Sequence, residues 1–164
     1  MELRWRVFRR VPWMWTAWET GCLWVHPVTP VRPGSVLTFG RRGRIVELHL
    51  DGRALRTLRS EPGYNTFKTV RQLREELASL ATRVRSGELG DVTGILGTSL
   101  LGTAGPMFGF QTRPLPHDLY HTLLQYLLAG LDATYHPRGL RPRAMRRWPV
   151  ETWMGIAEFL ERYG

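Results

Sequence analysis

Alternation of apolar and polar residues marks the first strands of this chain. From Val46 to Leu50 every second residue is apolar, a period typical of a half-buried strand. Residues 35–39 and 44–51 are therefore predicted to form a hairpin joined through residues 40–43. Further strands are predicted at residues 91–101, 108–113 and 150–154.

Apolar spacings of three and four residues predict two main helices. Residues 65–86 carry one apolar stripe, with Asn65 or Thr66 suited to cap the start and Gly87 to end the helix. Residues 117–135 are apolar on most sides, which predicts a centrally packed helix. Two shorter helical segments are predicted as well: residues 53–59 and 156–163.

The order of these elements indicates an α+β fold. Strict alternation of strand and helix is not sustained, so a doubly wound parallel sheet is disfavoured. We predict a single domain with a mostly antiparallel or mixed sheet of about five strands, packed by the two main helices. A chain of 164 residues suits one domain with a sizeable core.

Residues 1–31 are predicted to form an aromatic, basic arm and connector ahead of an α+β domain at 32–164. The apolar run of the arm is interrupted by polar residues, proline and glycine, so neither a signal peptide nor a membrane span is predicted. Its tryptophans can cap the core or contact a membrane surface. They are Trp5, Trp13, Trp15, Trp18 and Trp24.

The composition of the chain indicates where the protein is located and what kind of partner it binds. Cys22 is the single cysteine, so the chain can form no internal disulfide, and a cytoplasmic location is predicted. The formal net charge is +9, and Lys68 is the only lysine among the 23 basic residues. Arginine suits bidentate contacts with phosphate or carboxylate, although a GC-rich genome explains the same preference. The positive charge favours an anionic partner.

Glu47, His49 and Asp51 form a polar row on one side of a predicted strand. Such a row can bind a metal or transfer protons, or it is the solvated side of an ordinary strand. Alternate residues lie about 6.5–7 Å apart along a strand, too far for the row to hold one ion unaided. His117 and His121 have a helical i, i+4 spacing that can complete a site. These two histidines, Glu47 and His49 are the catalytic candidates of a small hydrolase or transferase; no metal or cofactor is assigned.

Two further segments are candidates for ligand contact. Thr98 and Ser99 lie in the glycine-rich residues 94–105, which match neither the nucleophile elbow nor a Walker loop. Residues 136–149 combine arginines with a tryptophan, which suits a nucleic acid, an anionic glycan or plain solvation. The full set of ligand candidates is Thr98, Ser99, Arg113, Arg138, Arg141, Arg143, Trp148 and Trp153.

Six ordered segments resemble the YkoP-like domain, a bacterial domain often found beside sporulation-type polysaccharide deacetylases. They are RPGSVLTFGRRGRIVELHLDGRAL (32–55), LREELASLA (73–81), VTGILGTSLL (92–101), FGFQTRPLP (108–116), YHPRG (135–139) and VETWMGIAEFLERYG (150–164). The resemblance implies a non-catalytic accessory or binding module linked to cell-envelope or spore polysaccharide, acting on a partner protein or an anionic glycan. It supplies no catalytic residue, and the deacetylase metal motif is absent. The alternatives are the small His/Glu enzyme and a nucleic-acid or membrane-surface binder.

Overall fold

A computed structural model describes residues 28–99, 104–135 and 148–164 of the chain. The strands are β1 (Thr29–Pro30), β2 (Leu37–Arg42), β3 (Ile45–Leu50), β4 (Gly94–Ser99), β5 (Gln111–Pro114) and β6 (Val150–Gly155). The helices are α1 (Gly52–Ser60), α2 (Thr66–Arg85), α3 (Ala104–Met107), α4 (Leu119–Tyr135) and α5 (Ile156–Tyr163).

The described strands form one mixed sheet in the order β1-β2-β3-β4-β6-β5. β3 and β4 run parallel, and the other neighbours are antiparallel. A parallel pair needs a long crossover connection, which α1 and α2 supply. The predicted single α+β domain with a mixed sheet is confirmed. Of its six strands, β1 is the unexpected one, a two-residue strand within the predicted connector.

One face of the sheet forms the main core with α2 and α5. Val46, Ile95 and Met154 line up on three neighbouring strands because their positions are in register. Their side chains are buried against the apolar side of α2 and against Phe159 of α5. The predicted stripe of the 65–86 helix is thus the side that packs on the sheet.

Helix α2 begins and ends at predicted cap residues. The side chain of Asn65 accepts a hydrogen bond from the backbone N–H of Lys68 at 3.0 Å. This contact satisfies one of the N–H groups that a helix start leaves without a partner. At the other end Gly87 adopts a φ of 78°, a left-handed conformation that suits glycine and stops the helix.

Glu76 is a fully buried carboxylate on α2. It accepts hydrogen bonds from the backbone N–H groups of Val36 at 3.0 Å and Leu37 at 2.6 Å. Gln72, one turn earlier on the same helix, donates to it at 2.9 Å. Glu76 therefore joins the middle of α2 to the entrance of β2, a contact between residues 39 and 40 positions apart in sequence.

Several predicted boundaries were wrong. The strand predicted at 91–101 begins at Gly94, and the strand predicted at 108–113 begins at Gln111. β2 continues through Gly40 to Arg42, and the hairpin turns at Gly43, whose φ of 60° suits a tight turn. The helix predicted at 117–135 begins at Leu119, and it is not packed centrally: Leu119 and Leu123 are exposed. Proline at position 116 and the capping oxygen of Asp118 delay the helix start.

Candidate functional site

Asp51 does not belong to the polar row predicted on β3. The strand ends at Leu50, and the Asp51 side chain caps α1 by accepting hydrogen bonds from the N–H groups of Arg53 at 2.8 Å and Ala54 at 2.9 Å. The half-buried strand inferred from the alternation is present. The row is thereby reduced to Glu47 and His49.

His117 and His121 do not share a helical face. His117 precedes α4 and stacks on Trp148, with the ring centroids 4.1 Å apart. The Nδ1 atom of His121 lies 2.8 Å from Asp118 Oδ1. The predicted i, i+4 helical pair was therefore wrong, because the chain becomes helical only after His117.

Metal coordination needs several ligand side chains converging on one point. Within the described residues no group of three or more histidine, cysteine, aspartate or glutamate side chains is arranged to hold a metal ion. The same part of the chain holds no hydrogen bond between His49 and either of the other two candidate histidines. The surroundings of Glu47 and His49 are therefore set by their neighbours on the sheet.

His49 is a half-buried imidazole on β3. Removal from water lowers the pKa of His49, and the negative charge of nearby Glu47 partly offsets this by raising it. Burial has the larger effect because it disfavours the charged imidazolium. His49 is therefore neutral in the folded protein near pH 7.

We expect the free energy of unfolding to fall as the pH drops below about 6.5, the usual pKa of histidine. Between the lowered pKa of His49 in the folded protein and the usual histidine pKa, the unfolded chain binds a proton that folded His49 does not. The free energy of unfolding therefore rises with pH in this window. Urea unfolding at a series of pH values measures the slope. His49→Gln should flatten the slope, and Glu47→Gln should steepen it. Equal slopes in the wild type and His49→Gln would contradict this explanation.

The β3, β4, β6 and β5 strands carry a common polar surface opposite the main core. Directly paired residues of neighbouring strands point to the same face. Thr98 pairs with Glu151, which pairs with Arg113, and continuing the β3–β4 register places His49 beside Thr98. We call this surface the polar sheet face, defined by Glu47, His49, Thr98, Gln111, Arg113, Glu151 and Trp153.

Arg113 and Glu151 form an ion pair on the polar sheet face. The Nε and Nη2 atoms of Arg113 each lie 2.6 Å from Glu151 Oε1. The Glu151 side chain is 17% exposed and the Arg113 side chain is 69% exposed. The more buried carboxylate thus holds a guanidinium group that remains open to solvent.

Trp153 is an exposed aromatic side chain on the same face. It is 41% exposed, unusual for so large an apolar group on a central strand. Its direct cross-strand neighbours are Leu96 on β4 and Gln111 on β5. An indole presented among polar side chains is a surface on which a flat apolar group can stack.

The structure brings together three of the eight predicted ligand candidates: Thr98, Arg113 and Trp153. Trp148 is used differently, since its Nε1–H donates to the carbonyl of Leu115 at 2.7 Å. Ser99 is the last residue of β4. The candidates that lie outside the described residues are Arg138, Arg141, Arg143, Trp5, Trp13, Trp15 and Trp18.

Sequence reasoning missed Glu151 and Gln111. Each precedes a candidate by two residues, so period-two spacing placed it on the candidate's side of the strand. The missing information was the β5–β6 pairing, which sets Glu151 opposite Arg113. That pairing joins segments 38 residues apart in sequence.

Most of the net charge of +9 belongs to two segments outside the described residues. Residues 1–27 hold four arginines against two glutamates, and residues 136–147 hold five arginines and no acidic residue. Elsewhere many arginines pair with acidic residues, such as Arg32 with Glu75 and Arg44 with Asp91. A strongly basic surface is therefore not a property of the sheet itself.

A family model described as the YkoP domain matches residues 37–163. No curated protein and no solved structure matches the chain. The matched range contains every residue of the polar sheet face. Among the helices of the described segments, none combines the length and the apolar character needed to cross a membrane.

Proposed function

The chain belongs to the YkoP domain family, and on that premise we propose that it is a non-catalytic binding module whose polar sheet face receives a polysaccharide of the cell envelope or spore. The observation that carries the proposal is the exposed indole of Trp153, flanked across the strands by the polar side chain of Gln111. The Arg113–Glu151 pair lies next to them.

A sugar ring matches this combination of side chains. Pyranose rings have one flat face of C–H groups and a rim of hydroxyl groups. The indole supplies apolar area with few rotatable bonds, and the neighbouring amide, hydroxyl and carboxylate groups supply hydrogen-bond partners. A sheet also fixes the spacing of these groups better than a loop does.

A nucleic acid suits the polar sheet face less well. Binding a phosphate backbone depends on several cationic side chains that together neutralise it. The polar sheet face carries the carboxylates of Glu47 and Glu151, and the guanidinium of Arg113 is already paired with Glu151. These charges favour a ligand with many hydroxyl groups and few negative charges.

We further propose that residues 32–164 form the binding module and that residues 1–31 are an arm outside it. Most of the described strands and helices lie within residues 32–164, and the module also takes in β1, whose Thr29 and Pro30 pair with β2. An operon or fusion that pairs the gene with a polysaccharide deacetylase would support the accessory role.

Titration calorimetry with neutral and carboxylated oligomers of N-acetylglucosamine and of glucose tests the proposed function. We expect Trp153→Ala to weaken binding of the best ligand by at least about tenfold, as for an aromatic residue at the centre of an interface. Phe67→Ala is the matched control, because Phe67 is an exposed aromatic residue on α2. Glycan binding that is absent from the wild type, or equal in Trp153→Ala, would reject the proposal.

A further inference from the structure

We infer that Arg113, positioned by Glu151, makes the polar sheet face selective for carboxylated sugars. The inference rests on the proposed glycan-binding function and adds the chemical class of the ligand. A carboxylated sugar here means one whose ring bears a carboxylate, either as a uronic acid or as an acidic ether substituent.

The guanidinium group of Arg113 has one edge engaged by Glu151 and one edge left for a ligand. Glu151 Oε1 engages Nε and Nη2 of Arg113 and leaves the edge formed by Nη1 and the second hydrogen of Nη2. Within the described part of the chain, Nη1 has no hydrogen-bond partner. This edge matches the two oxygens of a carboxylate, which an arginine binds through parallel hydrogen bonds.

Arg113 lies close enough to Trp153 for one sugar residue to contact both side chains. Gln111 pairs directly with Trp153, so Arg113 is the next residue of β5 on the same face and lies diagonally across from the indole. Diagonal neighbours in a sheet are about 7–8 Å apart, within reach of long and aromatic side chains. One sugar residue stacked on Trp153 can therefore bring a ring carboxylate to Arg113.

Glu151 holds the Arg113 side chain in place. Its carboxylate is 17% exposed, so it is less accessible to a ligand than the guanidinium it holds. Holding a long side chain in one orientation before binding reduces the entropy that the ligand contact must overcome. Glu151 is thus a positioning residue, and Arg113 makes the contact.

The remaining charges favour a single carboxylate over a polyphosphate chain. Glu47 and Glu151 lie on the same face as Arg113. A chain of closely spaced phosphates is repelled by these two carboxylates and gains only one contact with a guanidinium group. A sugar with one carboxylate on the ring that stacks on Trp153 gains the contact with less repulsion.

The test compares matched ligands that differ in one carboxylate. One pair is cellohexaose and cellohexaose with a single glucose residue oxidised to glucuronic acid at C6; the other is chitobiose and the N-acetylglucosamine–N-acetylmuramic acid disaccharide, in which a lactyl ether carries the carboxylate. We expect the wild type to bind the carboxylated member about tenfold more tightly. Arg113→Ala should bring this ratio close to one, and Arg113→Lys should restore it only in part because an ammonium lacks the fork.

Glu151→Gln tests the positioning role. We expect a reduced preference for the carboxylated ligand, since the neutral amide holds the guanidinium less firmly. Arg71→Ala is the matched control: it removes an exposed arginine from α2, away from the polar sheet face, and should leave the ratio unchanged. Circular dichroism confirms that each variant is folded.

The outcomes separate the inference from the proposed function. Equal affinity of the wild type for both members of each pair overturns the inference and leaves glycan binding intact. A ratio that survives Arg113→Ala also overturns it. Stronger competition by inorganic phosphate than by acetate, both at equal ionic strength, overturns the choice of carboxylate. Absence of binding to every glycan, with or without a carboxylate, rejects the proposed function itself.

Discussion

Glu76→Ala is expected to lower the free energy of unfolding by about 2–5 kcal/mol, because it leaves two buried N–H groups without an acceptor. Those groups belong to Val36 and Leu37 at the entrance of β2. Each unsatisfied donor costs about 1–3 kcal/mol, and the space left by the side chain adds to the loss. Gln72 also loses its partner.

Two companion variants identify the origin of the loss at Glu76. Glu76→Gln keeps one acceptor oxygen and should cost less than the alanine variant. Glu75→Ala removes a carboxylate from the adjacent position, where the side chain is exposed and forms surface ion pairs with Arg32 and Arg71. Such pairs are worth about 0–1 kcal/mol. Equal losses for Glu75→Ala and Glu76→Ala in urea unfolding would show that the buried contacts do not stabilise the fold.

The local sequence pattern was sufficient to predict most of the helices and strands. The last helix was predicted at residues 156–163 and is α5, Ile156–Tyr163. The apolar stripe and the cap residues of α2 were also predicted, with ends within one residue. These features depend on neighbours three or four positions away, so a short window of sequence contains the information.

Contacts between distant segments could not be predicted in the same way. Glu76 lies beside the apolar stripe of α2, three residues after Leu73 and four before Leu80, but only the β2 entrance explains why a carboxylate is buried there. Apolar content alone also misjudged α4: it predicted a central helix, and Leu119 and Leu123 are exposed. Periodicity defines a helix face; the neighbouring elements decide whether that face is covered.

The polar sheet face likewise depends on contacts between segments that are distant in sequence. Thr98, Arg113 and Trp153 were chosen separately from three segments, and their common location depends on the order β4-β6-β5. β6 comes from the last residues of the chain and inserts between strands that precede it. Sequence therefore predicted several of the residue types of the candidate site, and the sheet topology supplied their arrangement.

Phe159→Ala is expected to destabilise the fold by about 3–5 kcal/mol, as is typical when a buried aromatic ring is truncated. Phe159 has no exposed surface and belongs to the core cluster that joins α5 to the sheet through Ile95 and Met154. Its ring also packs against Tyr163, with the centroids 5.3 Å apart. The cavity left by alanine lies between rigid elements, so the neighbours have little freedom to fill it.

Phe67→Ala is the matched control for Phe159→Ala, since the same atoms are removed from a side chain that is 81% exposed. Surface substitutions of this kind change stability by less than about 0.5 kcal/mol. Chemical denaturation of both variants measures the difference, and an unchanged denaturant slope would locate the effect in the folded state. Similar losses for the two variants would contradict the packing of α5 on the sheet. A large loss confined to Phe159→Ala would mean that α5, which directly follows β6, anchors the strand that carries Trp153 and Glu151.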